Sequence, residues 1–120
     1  KSMSPVLNEG DYVFCTLEEV TDIDFKDVIL MFREQEGITV IVEKETADRL
    51  NYDYSIVVSW ITLTVHSSLE AVGLTAAFSN ALAQENISCN VVAAYFHDHL
   101  FVAKKDAEKA MVVLSRFSSQ

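Results

Sequence analysis

The sequence predicts an α+β fold in which helices pack on one face of an antiparallel sheet. Three observations carry this. Short β-branched and aromatic runs alternate with stretches of helical period, polar turn-forming segments separate them, and the order of elements repeats. Half of the 120 residues are hydrophobic, with only three Gly and one Pro, the composition of a folded chain rather than a disordered one. The longest unbroken apolar run, Val91 to Phe96, is six residues. A spanning helix needs roughly 20, so no membrane segment is expected.

Tyr12 to Leu17 reads as a strand. After the acidic link Glu18 to Asp24, the residues Phe25, Val28, Ile29 and Phe32 recur at i, i+3, i+4 and i+7. That spacing predicts one face of a helix, with Gly37 as its C-terminal stop. Ile38 to Val42 is the next strand, and Thr46 to Leu50 one helical turn. The polar stretch Asn51 to Tyr54 sets the expected boundary between an N-terminal module (1–53) and a C-terminal module (54–120).

Ile56 to Val65 is a long strand. Its apolar phase runs Ile56, Val58, Trp60 and then switches to Ile61, Leu63, Val65, so a bulge or bend is expected near Trp60. Thr62, Thr64 and His66 share the other face. Ser67 to Glu70 has capping-box spacing, and Gly73 interrupts the start of the helix that follows. Leu74, Ala77, Phe78, Ala81 and Leu82 form its buried stripe, and Asn86 ends it. Val91 to Phe96 is expected to be a strand buried on both faces, or on one face and against a partner chain. His97-Asp98 makes a turn, Leu100 to Ala103 a returning strand, and Asp106 caps a last helix with Ala107, Ala110, Met111 and Leu114 inside. The resulting order, β-α-β with a short helix and then β-α-β-β-α, is the split β-α-β arrangement called ferredoxin-like.

Nine Lys and Arg against 18 Asp and Glu give a net charge of −9. Such a chain repels polyanions, and Lys104-Lys105, the nearest thing to a basic patch, is offset by Asp106 and Glu108. No nucleic-acid partner is expected. The acidic runs around Glu18-Glu19 and Glu43-Glu45 read as solvated faces or as a docking surface for a basic partner. Cys15 and Cys89 sit in apolar strands without a Cys-x-x-Cys, which reads as two reduced thiols in a cytoplasmic protein. No leader is read at the start, although the sequence opens on Lys1 rather than Met.

His66, His97 and His99 raise the question of a metal. Zinc takes three or four ligands; only two of these lie close in sequence, with no Cys pair to complete them, so no metal or cofactor is expected. The plainer reading is a hydrogen-bonded turn in which Asp98 holds one imidazole. Nucleophile elbow, phosphate loop and paired acids are all missing from the sequence, and a non-catalytic protein is expected.

From Trp60 to Leu114 the chain resembles an ACT domain, a small ferredoxin-like regulatory module. The phrases Ser67-Ser68-Leu69-Glu70-Ala71-Val72-Gly73-Leu74 and His97-Asp98-His99-Leu100-Phe101-Val102 carry the likeness, with Glu36-Gly37-Ile38-Thr39 as its marker in the first half. It spans roughly residues 10 to 116 and is nearest to uncharacterised bacterial proteins that pair two such modules. The resemblance implies a sensor whose amino-acid ligand sits where two modules meet, held by the loop after the first strand and by the start of the next strand. Carried over by position, those are His66, Ser67, Ser68, Leu69, Glu70, Gly73 and Leu74, then Ile87, Cys89 and Asn90. Asp98 matches a hairpin acid of arginine-sensing modules, but Ala93-Ala94 replace their Ser-Thr pair, and the loop lacks Asp-x-x-Gly or Pro-Gly.

The loop also has a physical reading of its own. A helix N-terminus offers unpaired N–H groups to a carboxylate, and glycine removes the side chain that would block it. The ligand's ammonium would need Glu70, Asp98 or Asn90 to converge. Expected partners are a small molecule and a second copy of the chain, as a homodimer or larger homo-oligomer. The alternative function is assembly alone, since Val91 to Phe96 is more apolar than one sheet face requires.

Overall fold

The computed structural model describes residues 3–19, 23–65 and 73–118. In chain order these form β1 (Met3–Leu7), β2 (Tyr12–Leu17), β3 (Val28–Arg33), β4 (Ile38–Glu43), α1 (Lys44–Arg49) and β5 (Val57–Val65), followed by α2 (Leu74–Gln84), β6 (Cys89–Ala93), β7 (Asp98–Ala103) and α3 (Ala107–Ser118). The chain divides into two compact units: Gly10–Val58, and a larger unit that joins the residues up to Glu9 to Ser59 onward.

In the Gly10–Val58 unit, β2 lies between β4 and the start of β5, and β3 lies outside β4. Alternate residues Val13, Cys15, Val40 and Val42 point inward, and α1 covers them with Ala47. The helix expected over Phe25 to Phe32 is instead a 3-10 turn, Phe25–Asp27, followed by β3. Asp24 accepts from the Lys26 N–H at 3.2 Å to start that turn. The run from Val28 to Phe32 is apolar throughout, so it fits either period. The β3–β4 register also shifts between Val28 and Leu30. That irregularity moves the strand's alternation by one and imitates helical spacing. Phe25 and Phe32, expected inside, are 79% and 62% exposed.

Gly37 is not a helix stop. It sits in the β3–β4 turn, where its carbonyl accepts from the Glu34 N–H at 2.9 Å. A Cβ there would come within 3.1 Å of the Leu17 carbonyl oxygen, so close backbone approach requires glycine.

In the larger unit the strand order is β1-β5-β7-β6. The sequence reading missed β1, which pairs antiparallel with β5 from Met3↔Val65 to Leu7↔Ile61. Its central Pro5 hides it, because proline is tolerated only at a sheet edge or bulge. The expected change of phase in β5 coincides with a change of partner, from β2 at Val57 and Val58 to β1 from Ile61 onward. Ile61 and Leu63 of β5 and Leu100 and Val102 of β7 form one wall of the core. Phe78 and Leu82 of α2, and Ala110, Val113 and Leu114 of α3, form the other. Ala77, placed in the buried stripe by spacing, is exposed. Asn86 ends α2 in the left-handed region (φ 62), as expected of a helix terminator.

The double-sided burial expected for Val91 to Phe96 is not seen. β6 stops at Ala93 and is the last strand of the order, with Val91 partly exposed. Tyr95 and Phe96 form the hairpin tip, closed by the Ala94 N–H donating to the His97 carbonyl at 3.0 Å, and they are 93% and 79% exposed. The turn therefore lies before His97-Asp98, and Asp98 opens β7.

Truncating the fully buried Phe78 to alanine should cost about 3–5 kcal/mol in urea denaturation. Phe25→Ala should stay within about 0.5 kcal/mol, since Phe25 is exposed rather than on a helix's inner face.

Candidate ligand-binding site

Of the loop residues named from sequence, His66, Ser67, Ser68, Leu69 and Glu70 lie outside the described residues. Gly73 is the N-cap of α2, with φ 79 and ψ −12, a left-handed conformation. A Cβ there would meet nothing within 4 Å among the described residues. The dihedral, not tight helix–sheet packing, is thus what selects glycine. The first helical bond runs from the Ala77 N–H to the Gly73 carbonyl at 3.0 Å. The amides of Leu74, Thr75 and Ala76 therefore have no intrahelical acceptor. Gly73 provides no side-chain cap, and the first turn carries no acid. Leu74 packs on the core.

Ile87 is buried, and its N–H is used by the Leu82 carbonyl at 3.0 Å, which closes α2. Cys89 packs against the same core, and burial pushes its thiol pKa up. Directly opposed residues of an antiparallel pair share a face. The pairs Asn90↔Phe101 and Val92↔His99 put Asn90 on the face away from the helices, whereas Ala93↔Asp98 puts Asp98 on the side of Leu100 and Val102. Asn90 and Asp98 do not converge.

A polar cluster that the sequence reading did not assemble occupies the face opposite the helices. The Trp60 indole N–H donates to His99 Nδ1 at 2.9 Å. Asn8 donates through Nδ2 to Thr62 Oγ1 at 2.9 Å and to the Trp60 carbonyl at 3.2 Å. Thr62 Oγ1 lies 3.3 Å from His99 Nδ1. An indole can only donate, so Nδ1 must accept and the neutral ring carries its proton on Nε2. Thr62, accepting from Asn8, places its hydroxyl beside the same nitrogen. Phe101 stacks on Trp60 at 6.2 Å, and His97 meets His99 edge-on at 6.1 Å. His97 Nδ1 is buried and finds no hydrogen-bond partner among the described residues.

Burial pushes the His99 pKa below the ordinary histidine value, the neighbouring His97 adds to this, and Asp98 opposes it. Trp60 and Thr62 hold the imidazole, in place of the Asp98 contact expected from sequence. The shared face of Thr62 and Thr64 was visible as alternation. Asn8 carried no signal, because Pro5 hides the strand before it, and Trp60 was visible only as the change of phase in β5. Among the described residues, no three His, Cys, Asp or Glu gather to hold a metal ion.

In the Gly10–Val58 unit, an open groove of about 510 Å³ has Cys15, Thr16, Thr39, Asp53, Tyr54 and Ser55 among its lining residues. Burial, with the charge of Asp53 behind it, pushes the Cys15 thiol up. Both thiols are thereby poorer nucleophiles than a free cysteine. Nearby, the Tyr54 hydroxyl donates to Asp48 at 2.7 Å and Lys44 Nζ donates at 3.0 Å, which together hold the Asp48 carboxyl below its usual range.

Residues 1–59 and residues 55–116 each match a family model described as ACT domain. Among solved structures, the chain is similar to a Vibrio cholerae protein of unknown function, described as a possible transport protein. That match has 48% identity and a TM-score of 0.86, over 97% of this chain and 90% of that one. An Agobacterium tumefaciens protein matches at 17% identity and TM-score 0.76, over 97% and 89%. The ligand-free regulatory subunit of aspartate kinase from Thermus thermophilus matches at 11% identity and TM-score 0.68, over 97% of both chains, a likeness of fold. No curated protein matches. No helix among the described residues is long and apolar enough to cross a membrane.

Because the folded state lowers the His99 pKa, the unfolded chain binds more protons below about pH 6.5. Stability is full above that pH and falls as the pH drops toward the folded-state value. Thermal unfolding between pH 7.5 and 5 should show this slope, and His99→Gln should flatten it. Trp60→Phe, which removes the donor to Nδ1, should move the His99 titration seen by NMR up toward the ordinary value.

Proposed function

The chain belongs to the ACT domain family, and on that premise we propose that it is a non-catalytic regulatory module binding a small metabolite, most simply an amino acid, at an interface between ACT modules of two copies. The observation that carries this reading is the start of α2. Three consecutive amides precede the first helical bond, a left-handed glycine stands beside them, and no first-turn acid competes for them. Such a terminus attracts a carboxylate through directed N–H groups and the helix dipole. The fold shared with an aspartate kinase regulatory subunit is consistent with this role. The proposed site takes in His66, Ser67, Ser68, Leu69 and Glu70, which lie outside the described residues, with Glu70 as the acceptor for the ligand's ammonium. Asn90 and Asp98 leave the set of joint ammonium acceptors, since they face opposite ways.

A second reading, assembly without a ligand, is favoured by the hairpin tip. Tyr95 and Phe96 are exposed apolar rings beside a terminal strand, a surface that self-association would cover. The two readings are compatible, because a site shared by two copies needs the pair.

A thermal-shift screen of the twenty amino acids at millimolar concentration separates them. At least one should raise the melting temperature; at 100 times Kd the gain is about 2.7 kcal/mol. Gly73→Asn, which tolerates φ above zero yet places an amide side chain over the amides, should keep the fold and lose the shift. A flat screen, together with a dimer in light scattering, would leave assembly alone. A strict monomer at micromolar concentration would remove both the shared site and the assembly reading.

A further inference from the structure

We propose that the groove beside β2 in the Gly10–Val58 unit captures the amino terminus of an extended peptide. The β2–β5 ladder covers only Tyr12↔Val58 and Val13↔Val57. Beyond Val13 the two segments separate, and Asp53, Tyr54 and Ser55 become the far wall of the groove. Strands β4 and β5 are the only strand neighbours of β2 among the described residues, so past Phe14 no described strand lies on the side away from β4. Successive residues of an antiparallel strand direct their N–H and C=O to alternate sides. One of Cys15 and Thr16 must therefore turn a donor and an acceptor toward the groove. That is the pair of groups through which a peptide strand adds to a sheet.

The side chains then select which part of a peptide fits. Asp53 places a carboxylate on the wall, and no Lys or Arg among the described residues lines the groove to neutralise it. Beside the larger effect of burial, the charge of Asp53 raises the Cys15 thiol on the strand side. Of the hydroxyls there, Thr39 is already committed, donating to Glu34 at 2.6 Å, while Thr16 and Ser55 also line the groove. An ammonium next to a ladder-forming amide is the chemistry of a peptide's first residue. At about 510 Å³ the groove is within the size range of small-ligand sites. This inference does not rest on the amino-acid site at α2.

The test is an NMR titration of the full ¹⁵N-labelled chain with Ala-Ala-Ala amide, its N-acetylated form and free alanine. The tripeptide amide should shift the amides of Cys15, Thr16 and Ser55. Acetylation should weaken its binding at least about threefold. Asp53→Asn, at an exposed position, should weaken the free-amine peptide by a similar factor and leave the acetylated one unchanged. Indifference to acetylation or to Asp53→Asn would overturn the proposal. So would free alanine binding the groove as tightly as the tripeptide, or shifts confined to Leu74–Ala76. A flat amino-acid thermal screen, by contrast, would remove only the α2 reading.

Discussion

The larger unit depends on the two-residue alternation of β5 and β7. Ile61, Leu63, Leu100 and Val102 point to one side and meet both helices. Trp60, Thr62, His99 and Phe101 point to the other, where the indole, a hydroxyl and an imidazole satisfy one another. A one-residue slip in register would exchange the two sets, placing His99 against Phe78 and leaving Leu100 outside. The polar cluster is thus a register lock as well as a chemical feature. It gives the Trp60 indole and His99 Nδ1 a partner that a slipped pairing would strand. The same alternation keeps α2 against the core and so fixes where its first turn opens.

The Gly10–Val58 unit uses the plan with less material. A single 3-10 turn stands where the larger unit has α2, and one short helix, α1, covers its inner face. Its β3 is consequently half uncovered, with Phe32 and Met31 exposed. Where β5 leaves β2, the sheet opens into a groove rather than closing. The two units therefore offer different chemistry: a helix terminus suited to an anion in one, and a strand edge beside a carboxylate in the other.

What could be read from sequence follows from which signals are local. β2, β4, β5, α2, β7 and α3 came from apolar periodicity and from turn residues such as Asn86. The fold class and the family likeness followed from their order. The 25–32 segment misled because a continuous apolar run with a register irregularity satisfies the helical template by accident. β1 was hidden by Pro5. With it went Asn8, and hence the hydrogen-bond chain to His99, whose members are distant in sequence. Gly73 stood out in the sequence as an interruption at the helix start that leaves room for a carboxylate; its φ of 79 shows that conformation also calls for glycine there. Whether Asn90 and Asp98 cooperate could only be decided by the hairpin register.

The place of β1 has a further consequence for how the chain acquires its structure. Residues made before the Gly10–Val58 stretch flank β5 in the larger unit, pairing Met3 with Val65. They must wait until the intervening stretch has been made, and the loop of sequence closed by the β1–β5 pairing spans residues 10–58. Loop closure over that span is a non-local event that slows folding. It also joins β1 to the residues from Ser59 onward in one compact unit. A fragment beginning at the start of the second family match would lack a sheet strand, so the natural unit of inheritance and the natural unit of stability are offset along this polypeptide.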